Sequence, residues 1–110
     1  MEFFVVADEV LMGQGVFGIF STSDKAEVYL ADVQSKTGFR CTMTQLAVMG
    51  NAASPDRVCV AYTHDCLHDV FILDGLYSDP ALAYDATGDQ GLIVEFVVDA
   101  PEQKQVIEDF

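Results

Sequence analysis

The run His64-Asp65-Cys66-Leu67-His68-Asp69 is the densest group of chemically capable side chains in the sequence. Two imidazoles four positions apart, two carboxylates and a thiol are the donor types that hold zinc or another divalent ion. Spacing works against them. Residues i and i+4 converge on a helix, but this run reads as the turn between two strands, where convergence is not built in. A solvated turn is the simpler expectation, and His64, Asp65, Cys66, His68 and Asp69 are metal candidates to be placed by the structure. Cys66 between two histidines also has the makings of an activated nucleophile. The surrounding carboxylates disfavour a thiolate, which argues against that role.

Gly13-x-Gly15-x-x-Gly18 matches the dinucleotide fingerprint in its letters. That motif must open a helix, whereas Val16 to Phe20 reads as a strand, so hairpin glycines are expected. It also wants an acid at the end of the next strand, and none occurs from Val33 through Pro55. The sequence contains no nucleophile elbow, phosphate loop or Ser-His-Asp order. A non-catalytic protein without a cofactor is the expectation.

Charge is the most unusual bulk property. Eighteen acids against five bases give −13, and the excess is uneven. No Lys or Arg lies between Arg57 and Lys104, an interval holding Asp65, Asp69, Asp74, Asp79, Asp85, Asp89, Glu95, Asp99 and Glu102. Such a field repels phosphate backbones and anionic lipid, which argues against direct nucleic-acid or membrane binding. It favours a protein partner with a basic surface, with Asp74, Asp79, Asp85 and Asp89 as the expected contact residues. A sharper form is mimicry of a nucleic-acid backbone by an inhibitor of a DNA- or RNA-binding protein of host defence. That form needs the acids in two rows at phosphate-like spacing. Several of them also have a structural use, since turns and helix starts favour Asp for backbone hydrogen bonding.

These residues must be carried by a scaffold of 110 residues, 51% of them hydrophobic. That is one domain with one core. No apolar run reaches the roughly 18–20 residues of a membrane span. The start, with Glu2 and no base before Phe3 to Ala7, reads as no export signal. Three cysteines without CxxC spacing suggest reduced thiols in a cytoplasm.

Periodicity supplies the elements. Phe3 to Ala7 and Val16 to Phe20 read as a strand pair. Ser21-Thr22-Ser23-Asp24 reads as a capping-box-like start, with Asp24 three positions after Ser21. Ala26, Tyr29, Leu30 and Val33 follow on one helical face, and Gly38 stops the helix. Arg40 to Val48 is a third strand. After a connection from Gly50 to Pro55 the order recurs: Val58 to Thr63, a turn, Val70 to Leu73, a short helix from Asp79-Pro80 to Gly88 with Leu82, Ala83 and Ala86 inward, and Leu92 to Val98. Gly18-Ile19-Phe20-Ser21 and Gly75-Leu76-Tyr77-Ser78 match at a shift of 57, which also carries Ala26 onto Ala83.

Gly18-Ile19-Phe20-Ser21-Thr22-Ser23-Asp24-Lys25-Ala26-Glu27-Val28-Tyr29 resembles a stretch of small bacterial and phage α+β proteins of unknown function, G-V-F-S-S/T-x-E-K-A-x-x-Y. The resemblance covers Phe3 to Val48, with Asp24 where Glu is usual. Gly75 to Tyr84 keeps the start and loses the Lys. It implies a hairpin strand running into a capped helix and carries no catalytic residues.

The expected fold is α+β: two ββαβ units, 3–48 and 58–98, forming one mainly antiparallel sheet of about six strands. Both helices lie on one face, a sandwich of ferredoxin-like type. The tail 101–110 reads as a short docking helix or a frayed end. Exposed sheet edges suggest a homodimer.

Overall fold

The computed structural model describes residues 2–8, 15–38, 40–50, 56–68, 70–88 and 91–107. In chain order the elements are β1 (Glu2–Asp8), β2 (Val16–Phe20), α1 (Ser23–Thr37), β3 (Cys41–Met49), β4 (Arg57–Asp65), β5 (Val70–Tyr77), α2 (Pro80–Thr87), β6 (Leu92–Val97) and β7 (Ala100–Val106). The strands form one sheet in the order β2-β1-β3-β5-β4-β6-β7. All neighbours are antiparallel except β3 and β5, which run parallel through two residue pairs, Val48–Leu76 and Met49–Tyr77.

This corrects the expected architecture. Seven strands are described, not six, and the sheet curls into a nearly closed barrel instead of staying open beneath one layer of helices. The reason is visible in β1, where residues of both faces are apolar and buried. Phe3, Val5 and Ala7 point into the barrel with Val16, Ile19, Val48, Val58, Val60, Tyr62, Leu76 and Phe96. Val6 points outward and joins Phe20, Ala26, Val33 and Cys41 beneath α1. β4 repeats this: Val58 and Val60 lie inside, while Cys59 and Ala61 meet Ala83 of α2 and Ile93 outside. A strand buried on both faces needs cover on both. The curled sheet supplies one cover and a helix the other.

Helix ends follow local chemistry, with one change. Thr22, not Ser21, is the N-cap of α1, its hydroxyl accepting from the Lys25 N–H at 3.3 Å. Asp79 caps α2 by accepting from the Leu82 N–H at 3.0 Å, and Pro80 occupies the first turn. Gly38 ends α1 at φ 75, the left-handed conformation that glycine adopts without cost. Of the expected inward face of α2 only Ala83 is buried; Leu82 and Ala86 are exposed.

The tail is the larger correction. Residues 100–106 form neither a helix nor a frayed end but β7, paired to β6 through Val94–Val106, Glu95–Gln105 and Phe96–Lys104. Pro101 hides it in the sequence, since proline lacks the N–H that a ladder uses. Here proline is tolerated because the register jumps from Phe96–Lys104 to Val97–Ala100, leaving residues 101–103 outside the ladder. β7 then reaches the other end of the sheet. A Cβ on Gly18 would lie 2.8 Å from the Pro101 Cβ, so the absence of a side chain at Gly18 lets β2 and β7 touch. The radius of gyration is 13.3 Å, close to the roughly 13 Å expected of one compact domain this size.

Candidate functional site

The barrel is latched by one aspartate. Asp99 lies at the β6–β7 turn with φ 65, the one positive-φ residue other than glycine among those described. Aspartate tolerates this region because its short side chain finds local partners. Its N–H donates to the Ile19 carbonyl at 2.9 Å. Its carboxylate accepts from the Ser21 N–H at 2.9 Å, the Ser21 hydroxyl at 2.7 Å and the Lys25 ammonium at 3.1 Å. At the other junction the Ser78 N–H donates to the Met49 carbonyl at 2.9 Å. The Asp99 side chain thus gives Ser21 the acceptor that a strand carbonyl gives Ser78. Burial alone would raise the Asp99 carboxyl. Donation from Ser21 and Lys25 outweighs it and holds the group below the usual carboxylate range.

That depression has a testable sign. An unfolded aspartate titrates near ~3.9, so the latch stabilises the fold above that pH and loses its contribution as pH falls through the lower folded value. The Ser21 amide resonance is expected to move only on acidification below about pH 4. Asp99→Asn, which keeps an acceptor oxygen, should abolish that titration. A Ser21 midpoint above the unfolded value would contradict the latch.

Beside the latch runs an open groove of about 500 Å³ lined by Phe20, Asp24, Lys25, Val28, Tyr29, Asp32 and Asp99. Its floor is apolar: Phe20 and Tyr29 stack tilted with ring centroids 5.1 Å apart. Val28 stands 73% exposed on α1. Carboxylates form the rim. Lys25 is drawn to Asp99 and Lys36 to Asp32 at 3.2 Å, so both lysines of α1 are engaged. The Tyr29 hydroxyl is pushed above its usual range by burial first, then by the charges of Glu102 and Asp32. An apolar floor with an anionic rim can take a partner that combines an apolar anchor with positive charge. Val28 and Asp99 were missed in the sequence. The signals present were an apolar residue off the buried helix face and the turn pair Val98-Asp99 before Pro101.

Among the described residues, His64, Asp65, Cys66 and His68 do not assemble into a ligand set. Asp65 closes the turn, its carboxylate accepting from the Leu67 and His68 N–H groups at 3.0 and 3.4 Å and from His68 Nδ1 at 2.8 Å. The His68 hydrogen bond is the largest cause holding the Asp65 carboxyl below its ordinary value. Cys66 Sγ approaches His64 Nδ1 at 3.5 Å. His64 with Cys66 and Asp65 with His68 thus form two separate contacts. Among the described residues no three of His, Cys, Asp and Glu converge as a metal site. Asp69 lies outside the described residues. The thiols of Cys41 and Cys59 are buried and that of Cys66 exposed, and none of the three is in a disulfide. Burial pushes Cys59 up to about 12, with Glu95 and Asp79 adding to it, so it is an unreactive core thiol.

The expected acidic contacts are scattered in role. Asp74 is the extra residue of a β-bulge, between Leu73 opposite Tyr62 and Gly75 opposite Ala61, and it accepts from the Tyr77 hydroxyl at 2.6 Å. Asp79 is committed to its cap, Asp85 is exposed on α2, and Asp89 lies outside the described residues. Tyr77 is pushed up to about 12, first by its bond to Asp74 and then by burial. Tyr62 reaches about 12 through burial, against the lowering effect of the Val16 N–H. Both phenols should therefore stay protonated at pH ~11, above the free value of ~10. In an absorbance titration Asp74→Asn should bring one of them down and leave Tyr62 unchanged. If the variant titrates like the parent, the Asp74–Tyr77 bond does not persist in solution.

Gly18 of the glycine motif lies inside β2, with no helix opening from it; Gly13 and Gln14 lie outside the described residues. Among the described residues no helix is long and apolar enough to cross a membrane. No protein-family model, no curated protein and no solved structure matches the chain.

Proposed function

We propose that this chain is a non-catalytic, cytoplasmic interaction module that binds a basic protein surface. The observation that carries the reading is the groove along α1, whose apolar floor of Phe20 and Tyr29, flanked by exposed Val28, is edged by Asp24, Asp32 and Asp99. The apolar floor supplies burial and the rim supplies orientation and attraction, the division of labour found at protein interfaces. The net charge of −13 extends that attraction over the surface and speeds encounter with a cation-rich partner.

Pulldown with the immobilised chain at about 50 and 500 mM salt tests this, since screening shortens the reach of exposed charges about threefold over that range. A basic protein should be retained at the lower salt only. Asp24→Lys with Asp32→Lys should weaken retention about tenfold or more, as should Val28→Glu. Asp74→Lys with Asp85→Lys reports on the other acidic surface. Asp79 is left unchanged because its removal would uncap α2. Retention that ignores both salt and the α1 substitutions would end the reading.

A further inference from the structure

The two ends of the sheet are built alike up to one strand. The first half pairs as β2-β1-β3 and the second as β5-β4-β6, so β3 and β6 hold the same place. β6 carries β7 along its free edge. β3 carries nothing comparable: it meets β5 only at Val48 and Met49, and among the described residues no strand pairs with that side of Cys41 to Ala47. β3 and β5 therefore bound a notch at the position that β7 fills on the other side.

Backbone direction shows what the notch offers. The Met49 carbonyl accepts from Ser78, and the Cys41 N–H turns to the Gln34 side chain at 3.4 Å. Odd-numbered residues of β3 thus direct their backbone groups away from β1. By the period of two, Met43 and Gln45 aim an N–H and a carbonyl each into the notch. Thr42 and Thr44 share a face with buried Val48 yet are exposed, so the barrel is open there. Sheet edges are ordinarily blunted by charge or proline. β3 has neither across its nine residues, in a chain where charged residues make up 21%.

We infer that the notch between β3 and β5 accepts a lone extended segment of a partner protein, added antiparallel to β3 as β7 is added to β6. A second copy of this chain does not fit, because its β3 carries β1 on the far side and the notch is closed by β5. A terminal or unstructured tail has no such flank. The segment is basic, because it must approach a chain of −13. That charge rests on the reading above; the mode of binding does not.

The probe is a synthetic peptide of alternating lysine and valine, about nine residues to match β3. With peptide bound, amide exchange at Met43 and Gln45 should slow about tenfold or more. Two further peptides, N-methylated on one or the other set of alternate amides, separate pairing from charge. At least one should bind about tenfold more weakly, because it has lost the donors facing β3. Protection that persists at about 500 mM salt supports strand addition and removes the requirement for a basic segment. Salt-sensitive binding without protection at Met43 and Gln45 overturns strand addition while the acidic groove stands. Equal binding of all three peptides, or no binding at all, also overturns it.

Discussion

Phe96→Ala is expected to destabilise the fold by about 3–5 kcal/mol, a large share of the roughly 5–15 kcal/mol available to a domain this size. Phe96 is 1% exposed on the inner face of β6 and belongs to the cluster that fills the barrel. It also carries the Lys104 ammonium 5.8 Å above its ring, so the truncation empties the core beneath the β6–β7 hairpin. Urea unfolding followed by far-ultraviolet circular dichroism measures the loss as a shift of midpoint. Val28→Ala serves as the control, since an exposed apolar side chain should change stability by no more than ~0.5 kcal/mol. A loss below about 1 kcal/mol at Phe96 would mean that the core does not lie inside the curled sheet.

The second prediction sets one substitution against itself. Gly18 and Gly75 open matching segments and follow bulge residues, Phe17 in β2 and Asp74 in β5. Alanine at Gly75 would place its Cβ 3.7 Å from the Tyr77 ring, an ordinary contact. Relief of glycine's backbone entropy should then make Gly75→Ala neutral or stabilising by up to ~0.5–1 kcal/mol. At Gly18 the same Cβ meets Pro101 at 2.8 Å and Phe20 at 2.9 Å, and overpacking there should cost about 1–3 kcal/mol. The difference arises because β7 presses on β2 at one junction and has no counterpart at the other. Equal effects at the two glycines would show that the β2–β7 contact does not form.

Strand and helix positions were legible because they rest on local rules. Alternation marked β3 and β6, the spacing Ala26-Tyr29-Leu30-Val33 marked α1, and Asp79-Pro80 with Gly88 bounded α2. The run from Gly18 to Tyr29 predicted a strand passing into a capped helix, and β2 and α1 do so, although the cap moves to Thr22 because Ser21 is bound to Asp99. β7 was hidden by Pro101 and by a polar run with no alternation to read. Its existence depends on pairing with β6, which is a long-range fact. The candidate site divides the same way. The His64–Asp69 run was conspicuous by its letters, yet Asp65 turns its carboxylate to the Leu67 and His68 amides and residues 66–68 stay a turn.

By itself, then, the sequence determined the order and nature of the first eight elements and the uneven acidic charge. Each of these follows from neighbours within a few positions or from composition. Tertiary structure alone decided that the sheet curls, that β7 closes one side of it and leaves the notch beside β3, and that Asp99 joins Ser21 across 78 positions. Curvature depends on apolar residues of both faces finding cover together. A left-handed aspartate becomes a latch only when two distant strand ends meet around it.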